Sequence, residues 1–397
     1  MLAKEAIASL AAGLQRRLGR AGGPRLEEWA RMHGLGRAGD PTRAIAVQLA
    51  LDAVARAILY RRYVGEPPSP LSFSEAADAV AAAASSGALR AHALDELLDE
   101  VLDAGYRGEF VRAALAAAAR YGREDAAADE LGEAYEELVP SAERRRLGQF
   151  FTPAPVADLM AEYVLGGGAR LRVADPAVGT GRLLVRLLLR ARDPSGLELT
   201  GVDVSPLMLT LAAANLSFFA DLRSVRLVLG DMFGAEELLR ASDAIIANPP
   251  YSRHHELAPE YKRRLQEKLR RLAGVSLSGY TSFFGYALVY LSALLREGAR
   301  MSFICPVEVF EAGYGDEIKE YLARSRLLER VVVFDESSFV FPYAENAVSV
   351  LFVSKGSPKD VYFIKVREMP ASSGELTRLL GVADEGVFGW FSVRRVR

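Results

Sequence analysis

Asn248-Pro249-Pro250-Tyr251 is the segment of this 397-residue chain whose residue types and order best suit chemistry. It follows the apolar run DAIIA, so it sits where a buried strand runs out. Two prolines remove two backbone donors and fix the local backbone. The carbonyl of Pro249 is then left pointing outward as an acceptor. Together with the side-chain oxygen of Asn248 it can hold both hydrogens of an exocyclic NH2 group. An amine held this way has its lone pair drawn out of conjugation and aimed at a methyl sulfonium. Such an in-line displacement needs positioning and local electrostatics more than a strong base. Tyr251 offers an aromatic face on which a planar base can stack.

Three upstream acids stand at equivalent places. Asp175-Pro176-Ala177-Val178-Gly179-Thr180-Gly181 follows a first strand and leads into a helix near Arg182. Its glycines let the backbone turn tightly and approach a ligand. The Asp175 carboxylate would repel a pyrophosphate but accepts hydrogen bonds from a cationic amino group, which favours a methionine-type cofactor over a dinucleotide. A plain strand-to-helix turn is the alternative for the glycines alone. Asp203, at the end of the second strand, suits a bidentate hydrogen bond to ribose hydroxyls. Asp231 can accept from an adenine amino group while Met232 or Phe233 packs against the ring. Each acid singly can be a helix cap; three at successive strand ends point to one nucleoside-bearing cofactor.

These residues require a frame that presents strand ends together. Residues 1–140 are rich in Ala, Leu, Arg and Glu at helical spacing, as in ALDELLDEVLDAGY, and read as an all-helical N-terminal domain. Residues 141–356 alternate helices with short β-branched runs: LRVADPA, LTGVDVS, RLVLGD, DAIIANPP, RMSFICP, RVVVFD and AVSVLFVSK. The class is α/β, a doubly wound, mostly parallel Rossmann-like sheet, in which ligands bind beyond the carboxyl ends of the strands. Residues 357–397 form a short extension with one more strand, VYFIKV, and a short helix around Glu375 to Leu380.

Composition narrows the setting. A single cysteine, Cys305, excludes an internal disulfide and a multi-cysteine zinc site. The absence of a secretory leader pattern and of any long apolar run reads as cytoplasmic, with no membrane partner. The formal net charge is -2, so no global basic character announces a nucleic acid. Basic residues nevertheless cluster at Arg144-Arg145-Arg146 and in YKRRLQEKLRRL from Tyr261 to Leu272. Solvated helix faces and phosphate contacts are both open readings of these clusters. The adjacent His254 and His255 lack a helically spaced carboxylate, and no metal is expected.

The ordered set resembles the S-adenosylmethionine-dependent adenine-N6 DNA methyltransferases, in the class where the cofactor half precedes the catalytic half. Gly148-Gln149-Phe150-Phe151-Thr152-Pro153 matches that family's upstream motif, and LGEAYEELVPSAERRRLGQFFTP resembles the junction preceding the catalytic domain in type I modification subunits and fused restriction-modification enzymes. The resemblance covers about residues 130 to 365. It implies a site-specific, adenine-specific DNA methyltransferase of a restriction-modification system. Phe151 and Thr152 would lie at the methionine end of the cofactor, with Asp175, Ala177 and Gly179 in its loop. Asp203 would bind the ribose, Asp231 and Met232 the adenine, and Asn248 to Tyr251 the target base. Phe341, in Ser338-Phe339-Val340-Phe341-Pro342, would stack on the other face of the flipped base, with Phe339 the rival assignment. Arg253, Lys262 and Arg263 would meet the DNA backbone. Relatives acting alone carry a large target-recognition domain after this fold. Its absence from residues 357–397 implies a separate specificity subunit, a fragment, or a compact enzyme of low specificity. Protein glutamine methylation, RNA adenine methylation and a non-catalytic DNA-binding assembly role are the competing functions.

Overall fold

The β-branched runs form strands in the computed structural model of the chain: β1 (Leu171–Asp175), β2 (Leu197–Asp203), β3 (Val225–Leu229), β4 (Ala244–Ala247), β5 (Arg300–Pro306), β6 (Leu328–Phe334), β7 (Val348–Ser354), β8 (Val361–Val366), β9 (Gly386–Phe388) and β10 (Phe391–Val396). Helices are α1 (Ala3–Ala21), α2 (Pro41–Tyr63), α3 (Phe73–Ala83), α4 (Ala93–Val101), α5 (Ala104–Ala118), α6 (Glu130–Leu138), α7 (Ala154–Leu165), α8 (Arg182–Arg190), α9 (Pro206–Leu216), α10 (Glu236–Arg240), α11 (Pro259–Ala273), α12 (Phe283–Leu294), α13 (Glu308–Glu311), α14 (Asp316–Ser325) and α15 (Ser373–Thr377). The structure describes residues 3–21, 41–66, 72–102, 104–119, 121, 129–139, 152–166, 168, 170–251, 257–311, 313–335, 347–356 and 358–396.

The chain forms two compact units. The first holds Met1–Arg146, Gly179–Val185 and Asp203–Leu229; the second holds Leu147–Val178, Arg186–Val202 and Gly230–Arg397. In the first unit, α2 is buried along most of its length and packs against α1, α5 and α9. Its Arg56 is buried and bonds both carboxylate oxygens of Asp95, at 3.1 and 2.9 Å. Asp52 and His92 complete this interior charge group. No strand occurs among the described residues of 1–140, as the helical spacing predicts.

In the second unit the strand order is β2-β1-β4-β5-β7-β6-β8-β10-β9. β2, β1, β4 and β5 are mutually parallel, with the order reversing between β1 and β4. Reversal at this point opens the crevice in which doubly wound sheets bind ligands. α7 packs on β4 and β5, and its Asp158 forms a bidentate pair with Arg186 at 2.6 and 2.5 Å. The other half of the sheet is mixed. β7 runs antiparallel between β5 and β6, β8 is parallel to β6, and β10 is antiparallel to β8 and β9. The mostly parallel pattern read from sequence therefore describes the half that carries the strand-end motifs.

Residues 358–396 continue this same sheet. β8 was legible in the sequence; β9 has only three residues and opens on Gly386, and β10 buries Val393 alone, with Arg394, Arg395 and Val396 exposed after it. The buried Arg330 of β6 donates to the carbonyls of Leu379 and Val382, fastening the segment beyond α15. Among the described residues no helix is long and apolar enough to cross a membrane.

Candidate functional site

All four residues of β4 are buried, and the chain emerges from the sheet at Asn248. Pro249 is buried, while Asn248, Pro250 and Tyr251 are half-buried. The Asn248 amide is oriented by Thr152: Nδ2 donates to Thr152 Oγ1 at 3.0 Å. With Nδ2 turned to Thr152, Oδ1 is the end turned away from it. Thr152 is itself buried and stands just before Pro153, the N-cap of α7. A hydrogen bond thus joins Thr152 of the upstream motif to Asn248 at the end of β4. The Tyr251 ring meets Phe284 of α12 edge-on, with centroids 6.2 Å apart and planes at 74°. Burial, together with Cys305, raises the Tyr251 phenol well above its ordinary range. A phenol so raised stays neutral at ordinary pH.

Each of the three strand-end acids accepts the backbone N–H two residues ahead. Asp175 takes Ala177 at 3.1 Å, Asp203 takes Ser205 at 2.9 Å and Asp231 takes Phe233 at 3.0 Å. These bonds shape the turns, yet a carboxylate offers about four lone-pair sites, so turn-making does not exhaust it. Asp175 is buried. In the first unit, Asp203 Oδ2 also accepts from the Gly179 amide at 2.9 Å. Burial pushes the Asp203 carboxyl up to about 6, against the opposing pull of the Ser205, Gly179 and Val204 amides. Gly179 has φ +52°, and a Cβ there would meet nothing within 4 Å. Gly181 has φ +84°, and a Cβ there would lie 3.2 Å from the Cα of Ala212. One glycine therefore faces open space and the other permits close helix packing. Such a loop could pass under a ligand, and a carboxylate at Asp203 could accept from a diol.

Asp231 is more committed. Its Oδ2 accepts from the hydroxyl of Tyr261 on α11 at 2.7 Å. Met232 and Phe233 are both buried. The Phe233 ring lies among Tyr261, Phe283 and Tyr290, at 6.3, 5.5 and 4.9 Å. Phe233 is thereby a packing residue, and Met232 opens the short turn that Asp231 caps.

The basic helix α11 buries Leu265 and Leu269 and exposes Arg263, Arg264, Arg270 and Arg271. Lys262 donates to the Gly279 carbonyl at 3.3 Å, and Lys268 to the Phe233 carbonyl at 2.5 Å. Its lysines help dock the helix, whereas its exposed face carries four arginines together with Glu260 and Glu267. Phe151, Arg253 and Phe341 lie outside the described residues, as do Phe339, Arg144 to Arg146, Gly148 to Phe150, His254 and His255.

Sequence reasoning missed Phe284 and Tyr261. Neither carries a motif; only the apolar run of α12 and the position of Tyr261 ten residues past Tyr251 signal them. The bond from Asn248 to Thr152 was also unforeseen, because it joins residues 96 positions apart.

Residues 126–382 match the protein family described as N-6 DNA methylase. The Type II methyltransferase M.AccI of Acinetobacter calcoaceticus is 28% identical over 226 residues, covering 57% of this chain and 40% of that protein. The match thus spans well under half the length of that curated relative. A type I restriction-modification methyltransferase subunit from Streptococcus thermophilus superposes with a TM-score of 0.59 at 16% identity, covering 98% of this chain and 93% of that one. A protein from Listeria monocytogenes described as a class I S-adenosylmethionine-dependent methyltransferase gives 0.52 at 16% identity, covering 84% and 96%. At these identities the two structures speak to the fold, which is that of class I methyltransferases.

Proposed function

The chain belongs to the N-6 DNA methylase family, and from that premise we propose that it transfers a methyl group from S-adenosylmethionine to the N6 amino group of adenine in DNA. The observation that carries the proposal is Asn248 at the open end of β4, its amide held by Thr152 at 3.0 Å. That bond turns Oδ1 away from Thr152, and Oδ1 with the Pro249 carbonyl would then be the two acceptors for one NH2 group. Two acceptors draw the nitrogen toward a pyramidal geometry and fix the direction of its lone pair, which is catalysis by orientation. An adenine reaches such a loop only if it leaves the duplex stack, and Tyr251, braced by Phe284, supplies a ring to replace lost stacking.

S-adenosylmethionine supplies the electrophilic methyl group when bound. Asp203 would receive its ribose hydroxyls, and Asp175 and the Gly179 loop its methionine end and backbone. Asp231 would receive its adenine amino group, competing with or joining the Tyr261 hydroxyl. Thr152 accepts from Asn248 through Oγ1, and a threonine hydroxyl can also donate to a carboxylate. In this reading it would stand between the target and cofactor ends of the site. Arg263 and the neighbouring exposed arginines of α11 would meet DNA phosphates. A restriction-modification setting, with a separate specificity subunit reading the target sequence, agrees with the type I subunit whose fold this chain shares over most of its length.

Transfer of a tritiated methyl group to DNA, to tRNA and to a glutamine-bearing protein tests the proposal. Label is expected on DNA adenine, and Asn248→Ala should abolish it. Label on protein alone would replace the substrate class, and activity surviving in Asn248→Ala would remove that side chain from the mechanism.

A further inference from the structure

Asp129 precedes α6 and is 5% exposed, yet its carboxylate receives four donors. Oδ1 accepts from the backbone amide of Gly132 at 2.9 Å and from Asn215 Nδ2 at 2.6 Å. Oδ2 accepts from the Thr180 hydroxyl at 3.2 Å and from Arg182 Nε at 2.5 Å. Only the first of these is a helix cap. Thr180 lies inside the glycine loop and Arg182 opens the helix that follows it. The second hydrogen of the Asn215 amide goes to the Thr180 carbonyl at 2.9 Å. Thr180 is therefore gripped by side chain and by backbone from one side, while the Gly179 amide is held by Asp203 from the other.

A helix cap does not call for a buried charge. Asparagine or serine caps as well without the desolvation that a carboxylate suffers. Here that desolvation pushes Asp129 up to about 6 even beside the Arg182 guanidinium. A Cβ on Gly132, in the first turn that Asp129 caps, would run into this carboxylate. The charge meets Thr180 of the loop, Arg182 at the start of the following helix, and Asn215 of α9.

We propose that Asp129 is a positioning residue for the cofactor loop, fixing Thr180 and Arg182 so that Gly179 presents its amide to Asp203. The inference rests on the reading of that loop as the S-adenosylmethionine loop. It assigns part of the site to a residue at the edge of the helical zone.

Amide hydrogen exchange on the unliganded chain, with calorimetric binding of S-adenosylhomocysteine, tests it. Asp129→Asn keeps the size and one acceptor oxygen for the cap. It should speed exchange at Gly179 to Arg182 and weaken S-adenosylhomocysteine by about tenfold, with exchange in β4 and β5 unchanged. Thr180→Val removes one loop donor and leaves the cap intact, so it decides the matter if Asp129→Asn does not fold. It should loosen the same amides and lower affinity in the same direction. Loop exchange left unchanged in either folded variant would overturn the proposal. So would exchange that rises throughout Met1–Arg146 and not selectively at the loop, because that outcome marks an ordinary structural residue. Failure of the wild-type chain to bind S-adenosylhomocysteine would count against the methyltransferase reading instead, and the exchange measurement would still decide the role of Asp129.

Discussion

Asn248 depends on Thr152 for its direction. A primary amide rotates about its last bond, and only a donor–acceptor partner distinguishes its two ends. Thr152→Val is isosteric and removes that partner, so kcat should fall by about a hundredfold, the cost typical of a small misplacement of a reacting group. S-adenosylhomocysteine affinity should change much less, and Thr152→Ser should restore most of the rate. A raised KM for the cofactor with unchanged kcat would instead make Thr152 a pure cofactor contact. Tyr251 gives a second, separable expectation. Its phenol is held neutral by burial, so under the proposed function the ring would be the working part. Tyr251→Phe should retain activity within a few-fold. Tyr251→Ala should lose about 1–3 kcal/mol of affinity for an extruded base, measured with a duplex carrying an abasic or mismatched partner opposite the target adenine.

At the scale of the element, the loop between β1 and α8 is stationed between two carboxyls that burial holds near pH 6. Asp203 and Asp129 are both pushed up to about 6. Asp203 faces the amides of Ser205, Gly179 and Val204, and Asp129 faces Arg182, Gly132 and Thr180. Both must be ionised to accept all their donors. Cofactor affinity should therefore rise as pH increases through about 6 and level off near 7. Stability runs the other way. A carboxyl whose folded pKa exceeds its unfolded value near 3.9 contributes stability below that value and loses it as pH rises through about 6. Calorimetric S-adenosylhomocysteine binding between about pH 5 and 7.5, beside denaturant unfolding over the same range, would show the opposed slopes. A flat binding profile would remove these two acids from cofactor recognition. The loop itself was legible in the sequence, because Asp175, Gly179 and Gly181 follow an apolar run at fixed spacing. What holds it was not. Asp129 meets Thr180 and Asn215 across 51 and 86 positions, and no local pattern marks such pairings. The antiparallel half of the sheet was hidden for a related reason. A buried β-branched run such as VSVLFVS looks the same whichever way its neighbours point, so β7 declared itself a strand but not its direction.

For the molecule as a whole, the balance of charge constrains how DNA can be engaged. A formal net charge of -2 gives no long-range attraction to a polyanion, so affinity must come from local cationic surface. Among the described residues α11 is the strongest candidate. Its lysines at 262 and 268 are bound to carbonyls of the protein, while Arg263 and Arg264 are exposed on a helix anchored by Leu265, Leu269 and the Tyr261–Asp231 bond. The competing reading is a solvated face with no partner. Salt dependence separates the two, because each phosphate neutralised contributes about 0.9 to the slope of log K against log salt. Replacing Arg263 and Arg264 by alanine should reduce that slope by about two and weaken binding uniformly across duplex sequences, as backbone contacts do. Arg263→Ala alone should leave S-adenosylhomocysteine affinity unaltered, whereas Arg264 lies over the ring of Tyr261, which donates to Asp231. A slope unchanged within error, measured by fluorescence anisotropy from about 50 to 200 mM salt, would return α11 to the role of a solvated helix and move the DNA-facing surface elsewhere.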